Sequence, residues 1–189
     1  MVSRAIYTST DSSTDLRSVR VLGIGGNLTD HYDPRNKTLN LSQGVANVPS
    51  VAAIAIAAHE LGHAMQDAEG YAPLKLRSVL VPMVNIGSNL GWVLIMAGLF
   101  LRFTEIAWLG ILIFAGGAVF SLVTLPVEFN ASARAKQMLT QSGIIQTDEE
   151  MRGVNAVLNA AALTYVAALI TAILQLLYYV FLVGGRRRD

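Results

Sequence analysis

The chain has no cysteine in its 189 residues. That excludes a disulfide framework and every thiolate metal site, so a bound metal must rest on His, Asp and Glu. Charge is scarce as well. Only 14% of residues are Asp, Glu, Lys or Arg, and they balance to +1. Without a basic surplus there is no electrostatic footprint for a nucleic-acid partner. So little charge beside 53% hydrophobic residues, at a mean hydropathy of +0.48, is too apolar for a soluble domain of this size. Part of the solvent must be a bilayer. Residues 1–17, "MVSRAIYTSTDSSTDLR", contain no apolar run and do not read as a signal peptide. Their Ser, Thr and Asp predict a disordered or loosely attached segment. No repeat or low-complexity tract is present.

What the chain does have is length in its apolar runs. Three segments reach the roughly 20 residues that a spanning helix needs: about Val79 to Leu101, Ile106 to Val127, and Ala160 to Val183. Only "RFTE" separates the first two, which predicts a tight helical hairpin. Gly110, Ala115, Gly116, Gly117 and Ala118 would permit close helix contact. Asn85, Ser88 and Asn89 are polar positions in the first span, expected to face the bundle. Ahead of the spans, Val19, Val21 and Ile24 against Leu39 and Leu41 suggest two short strands of a hairpin with a turn-rich linker. After the second span a helix is expected to start near Pro126. Thr147 with Glu150 is a capping box for the next one.

The chemistry sits in "IAIAAHELGHAMQDAEGY", residues 54–71. The helix should begin near Pro49 and Ser50 and end near Gly70, a good residue just past a helix end. On it His59 and His63 project from one face, one turn apart, where two imidazoles can grip one ion. Glu60, beside the first ligand, can reach water at the ion without binding the ion. This is the mechanical content of the H-E-x-x-H pattern of zinc metalloproteases.

A third ligand must come from elsewhere. His59, His63 and Asp67 form a line of about 12 Å, too long to surround one ion at about 2 Å each. Glu69 lies further still, and His31 in "DHYDP" reads as a loop histidine. Glu128 has the better claim, because two antiparallel crossings return the chain to the same membrane face. On its helix Ser132 could support the carboxylate, whereas Asn130 points to another face.

Several blocks together, "LTDHYDPRNKTLNLS", "AAHELGHAMQ", "YAPLKLRSVLVPMVNIGS" and "TLPVEFNASARA", resemble the YugP-like family of neutral zinc metallopeptidases of bacterial membranes. The resemblance covers about residues 18–183, and the arrangement is more distantly similar to HtpX-like membrane proteases. At "LPVEFNAS" it implies Glu128 as a zinc ligand as well. Together these readings give a mainly α membrane protein with a zincin-like HExxH helix, a short β-hairpin and three transmembrane helices as the expected fold. The expected layout is a polar segment 1–17, a catalytic part 18–76, a transmembrane hairpin 77–127, a ligand helix and connecting helix 128–159, a transmembrane helix 160–183 and a basic tail 184–189. Family members usually carry an N-terminal membrane helix followed by a basic stretch, which residues 1–17 do not match.

The expected activity is peptide-bond hydrolysis. Zn2+ would be held by His59, His63 and Glu128, with Glu60 as general base. The expected partners are a peptide or membrane-protein substrate and the lipid bilayer, with no nucleic acid. His31, Tyr32, Arg134 and Tyr165 remain open as oxyanion donors. "KTLNLS" is expected to be an edge strand that holds an extended substrate. The competing class is a non-catalytic membrane metal-binding or scaffold protein, which would not need Glu60. A transporter would want paired ionisable residues inside the spans, and the sequence has none there. Arg102 and Arg186 to Arg188 on one side oppose Lys75, Arg77, Arg134, Lys136 and Arg152 on the other, so charge does not orient the chain. The resemblance to relatives with that basic stretch would place the catalytic side in the cytoplasm of a bacterial inner-membrane protein.

Overall fold

The computed structural model describes residue 16 and residues 18–185. The expectations for 1–17 and for the arginines of the tail therefore lie almost wholly outside the described residues. In chain order the elements are β1 (Arg20–Ile24), β2 (His31–Asp33), β3 (Thr38–Ser42), α1 (Gln43–Ala46), α2 (Val51–Ala68), α3 (Ala72–Leu101), α4 (Thr104–Gln141) and α5 (Asp148–Gly185). The protein is mainly helical with one small sheet. Two compact units divide it: Met1–Leu74 with Val127–Ala162, and Lys75–Pro126 with Leu163–Asp189.

The first unit holds the sheet, in the order β1-β3-β2. The two strands read from the sequence exist, but they pair in parallel, Val21 beside Leu39 and Gly23 beside Leu41. The hairpin is instead β2 with β3, His31 opposite Asn40 and Asp33 opposite Thr38. The linker between the two expected strands hides a third. At three residues between turn signals, β2 is too short to show a period. β3 is thus the central strand, buried along its whole length, and both its edges are taken. It cannot serve as the substrate edge.

Helix α2 follows its sequence signals. The Ser50 hydroxyl accepts a hydrogen bond from the Ala53 N–H at 3.1 Å, and Gly70 takes a left-handed φ of 68° just past the end. Its alanines 53, 55, 57, 58 and 64, with Leu61, are buried against Leu39, Leu41, Leu139, Val154 and Leu158. Small side chains let neighbouring elements come close to this helix. The capping box at the start of α5 is present: the Glu150 N–H donates to Thr147 Oγ1 at 3.2 Å, and the Thr147 N–H donates to Glu150 Oε2 at 3.1 Å.

In the second unit α3 and α4 form the tight hairpin. Arg102 turns the chain at a φ of 61°, and the Phe103 N–H donates to the Gly98 carbonyl at 2.9 Å. Close contact is made by Gly91, Gly98 and Gly110. A Cβ on Gly110 would lie 2.6 Å from the Ile95 N, and one on Gly91 would lie 2.8 Å from the Phe114 N. Gly116 and Gly117, read as contact residues, face open space. Asn85 and Asn89 are exposed rather than turned to the bundle; Asn89 and Ser88 donate to backbone carbonyls of their own helix. That satisfies their donors locally, so they need no partner helix. α3, α4 and α5 are each long and apolar enough to cross a membrane.

Pro126 corrects another expectation. It neither starts nor ends a helix but lies inside α4, which runs unbroken from Thr104 to Gln141. A proline deletes one backbone donor, and the turns on either side carry the helix on. The expected connecting helix and third span are likewise one helix, α5.

Candidate metal centre

His59 and His63 lie on α2, and Glu128 lies on α4, all within the first unit. Their ligand atoms come within 4.8 Å of one another. Glu128 Oε2 is 3.1 Å from His59 Nε2 and 3.6 Å from His63 Nε2. Two ligands of a tetrahedral zinc, each about 2.0–2.1 Å from the ion, are separated by about 3.3 Å. The two separations bracket that value. The imidazoles meet edge to face, with centroids 4.8 Å apart at 86°, so their ring planes do not stack and both nitrogens can point at one centre. Glu128 is 2% exposed. A carboxylate that deep requires positive charge or hydrogen-bond donors close by, and the donor set fits a divalent cation.

The close approach of α2 and α4 within this unit depends on the glycine inside "HELGH". A Cβ on Gly62 would lie 2.5 Å from the Ala131 carbonyl oxygen. Gly62→Ala should therefore push apart the helices that carry the imidazoles and the carboxylate. Overpacking of this kind costs about 1–3 kcal/mol. The expected result is a lower thermal midpoint together with weaker zinc binding. An unchanged zinc affinity would show that the spacing tolerates the methyl group.

Both imidazoles are held from behind. Ser132 Oγ is 3.2 Å from His59 Nδ1, so this hydroxyl supports the histidine and not the Glu128 carboxylate as expected. His63 Nδ1 is 3.0 Å from Gln66 Oε1. Gln66 Nε2 donates to the Val127 carbonyl at 2.8 Å and to Asn130 Oδ1 at 2.9 Å. Asn130 thus faces α2 and does not point away from the site as expected. Sequence reasoning missed Gln66. The only available signal was its position three residues after His63, where a helix places side chains side by side.

Glu60 is half-buried and stands outside the ligand cluster. Its Oε2 accepts a hydrogen bond from the Tyr32 N–H of β2 at 3.0 Å. Burial pushes the Glu60 carboxyl upward from its ordinary value and Glu128 adds to this, while His63, His59 and the Tyr32 N–H oppose it. Burial pulls His63 down, but the neighbouring carboxylates of Glu128 and Glu60 leave it raised. Two carboxylates thus converge on two imidazoles, a field that favours a cation.

The rejected ligand candidates have other work. Asp67 accepts from the Tyr32 hydroxyl at 2.7 Å and from Lys37 Nζ at 2.6 Å, tying the β2–β3 hairpin to α2. Burial and Asp67 push the Tyr32 phenol well up, so it stays a donor. Glu69 pairs with both terminal nitrogens of Arg134 at 2.6 and 2.7 Å, which holds its carboxyl below its ordinary value. His31 lies on β2, with Nδ1 2.7 Å from the Thr29 carbonyl. Among the four oxyanion candidates, Tyr32 and Arg134 are therefore committed to carboxylates, and Tyr165 belongs to the second unit.

Residues 4–184 match the family described as "Putative neutral zinc metallopeptidase". The chain belongs to this family. It is also 46% identical over 172 residues to the "Putative membrane protease YugP" of Bacillus subtilis (strain 168), an alignment covering 90% of this chain and 76% of the relative. No solved structure matches the chain. Membership implies zinc as the metal, in agreement with a donor set of two imidazoles and one carboxylate.

Proposed function

We propose that the protein is a membrane-embedded zinc metallopeptidase that hydrolyses peptide bonds in membrane proteins or their exposed segments. The observation that carries this reading is the buried His59, His63 and Glu128 cluster with Glu60 beside it but outside it. His59, His63 and Glu128 would hold the ion, and the helix bearing "HELGH" would be the zincin-like element. When bound, zinc supplies a Lewis acid that acidifies water and polarises the scissile carbonyl. Glu60 takes the proton from the attacking water and passes it to the leaving amine. The Tyr32 N–H holds that carboxylate in place meanwhile.

The strand that would receive substrate is β2, not β3. β2 is an edge strand, its Tyr32 N–H points away from β3 towards Glu60, and its other side is occupied by β3. An extended peptide laid along it would run past Glu60. The deciding experiment is proteolysis of an unfolded protein substrate by the purified chain in detergent. Cleavage should stop with a chelator and return with zinc. Cleavage that survives complete zinc removal would end the metallopeptidase reading.

The three long apolar helices support a multi-pass position in a bacterial inner membrane, and the catalytic side is assigned to the cytoplasm. The chain should stay with the bilayer through an alkaline carbonate wash. A cysteine placed at Ser12, in a chain that has no other, should resist impermeant reagents in intact cells. Release by the wash would refute the spans, and labelling from outside would reverse the orientation.

A further inference from the structure

We infer that Arg134, Asn130 and Gln66 form a positioning relay that fixes which nitrogen of His63 carries its proton. The inference rests on the metal-centre reading above and adds three residues to it.

The relay follows from donors and acceptors alone. A guanidinium has only donors. Arg134 Nε lies 2.8 Å from the Asn130 side chain, so the Asn130 atom facing it must be the oxygen. That same oxygen, with the Val127 carbonyl, faces the Gln66 amide at 2.9 and 2.8 Å. Two acceptors require the Gln66 NH2 group on that side. The Gln66 carbonyl is then turned to His63 Nδ1 at 3.0 Å, and a carbonyl only accepts. Nδ1 must carry the hydrogen. A neutral imidazole has one such hydrogen, so Nε2 is left as a lone pair, 3.6 Å from Glu128 Oε2. Two acceptors facing each other at that distance are a seat for a cation.

Gln66 is well suited to this task. It is 0% exposed, so water does not compete for its amide. Its side chain joins His63 on α2 to the Val127 carbonyl of α4, next to Glu128, which couples the ring orientation of His63 to the position of the carboxylate. His59 has no such device. Its Nδ1 meets the Ser132 hydroxyl, which can donate or accept and so fixes nothing from that side. Glu69 is not needed, because Arg134 remains charged and a donor without it.

The test uses the full chain in detergent, stripped of metal at alkaline pH, with isotope-labelled histidine nitrogens read by NMR. The chain has only three histidines, so each can be assigned by substitution. His63 should be the Nδ1–H tautomer in the native protein, in Asn130→Asp, whose carboxylate still accepts from both neighbours, and in Gln66→Glu, which still accepts from Nδ1. Gln66→Met should lose that preference and bind zinc about 10–100-fold more weakly, while Asn130→Asp stays near native. If Gln66→Met does not fold, the His63 tautomer of the native chain still decides the question. An Nε2–H tautomer of His63 in the native chain, or native tautomer and zinc affinity in a folded Gln66→Met, would overturn the relay. A native chain that binds no zinc would refute the metal centre instead, and the metal-free tautomer would still decide the relay.

Discussion

Glu60→Gln is expected to abolish peptide hydrolysis while leaving zinc content near native. Glu60 follows His59 in the helix and so projects about 100° around from it; it is absent from the cluster of ligand atoms, whose members are His59, His63 and Glu128. Its Oε2 accepts a hydrogen bond from the Tyr32 N–H at 3.0 Å. A glutamine keeps an oxygen for that donor and keeps the side-chain volume, so the hydrogen bond and the packing persist. What it loses is the capacity to take a proton. General-base catalysis contributes about 10²–10⁴-fold, so turnover should fall by at least about a hundredfold. Zinc analysis of the same preparation separates the two roles that Glu60 could play. Loss of the metal on this substitution would make Glu60 a ligand or a structural support, and the assignment of the base would fail. Intact metal with intact turnover would move the base elsewhere in the chain.

The contrast between Glu60 and Gln66 shows how far the sequence could be read. A helix with Ser50 at its start and Gly70 past its end, two imidazoles one turn apart and three long apolar runs are local patterns. Local patterns survive into the structure because nearby residues make them. The β2 strand, the parallel pairing of β1 with β3 and the unbroken course of α4 through Pro126 depend on partners far away in sequence. β2 is three residues long, and its pairing is determined by the buried edge of β3. The metal-supporting contacts were half legible for a related reason. Helical spacing places Ser132 on the face of Glu128, but both reach across to His59, one to each ring nitrogen. Spacing tells which residues share a face, not what that face meets. Gln66 offered only its helical spacing from His63 as a signal; its meaning comes from Val127, Asn130 and Arg134, some 60 or more residues on.

Glu128→Ala should lower zinc affinity severalfold or more and remove activity, with Glu128→Gln acting in the same direction. Two imidazoles on consecutive turns supply neutral donors from one side only. On the proposed assignment the carboxylate would close the site from α4 and bring the negative charge that a divalent cation needs in a buried place. At 3.1 and 3.6 Å from the two histidine nitrogens, no other acidic side chain among the described residues shares that position. Asp67 is held by Tyr32 and Lys37, and Glu69 by Arg134. Glu69→Ala is therefore the control. Its side chain is 45% exposed, and exposed ion pairs contribute about 0–1 kcal/mol, so its removal should leave zinc and turnover unchanged. Alanine at 128 also opens a small void beside both imidazoles, which makes the glutamine variant the cleaner comparison: it keeps the volume and loses the charge. Both variants should bind zinc more weakly than native, measured by competition with a chelator of known affinity. Should Glu128→Ala bind zinc and cleave like the native chain, the third ligand would have to be sought outside α4.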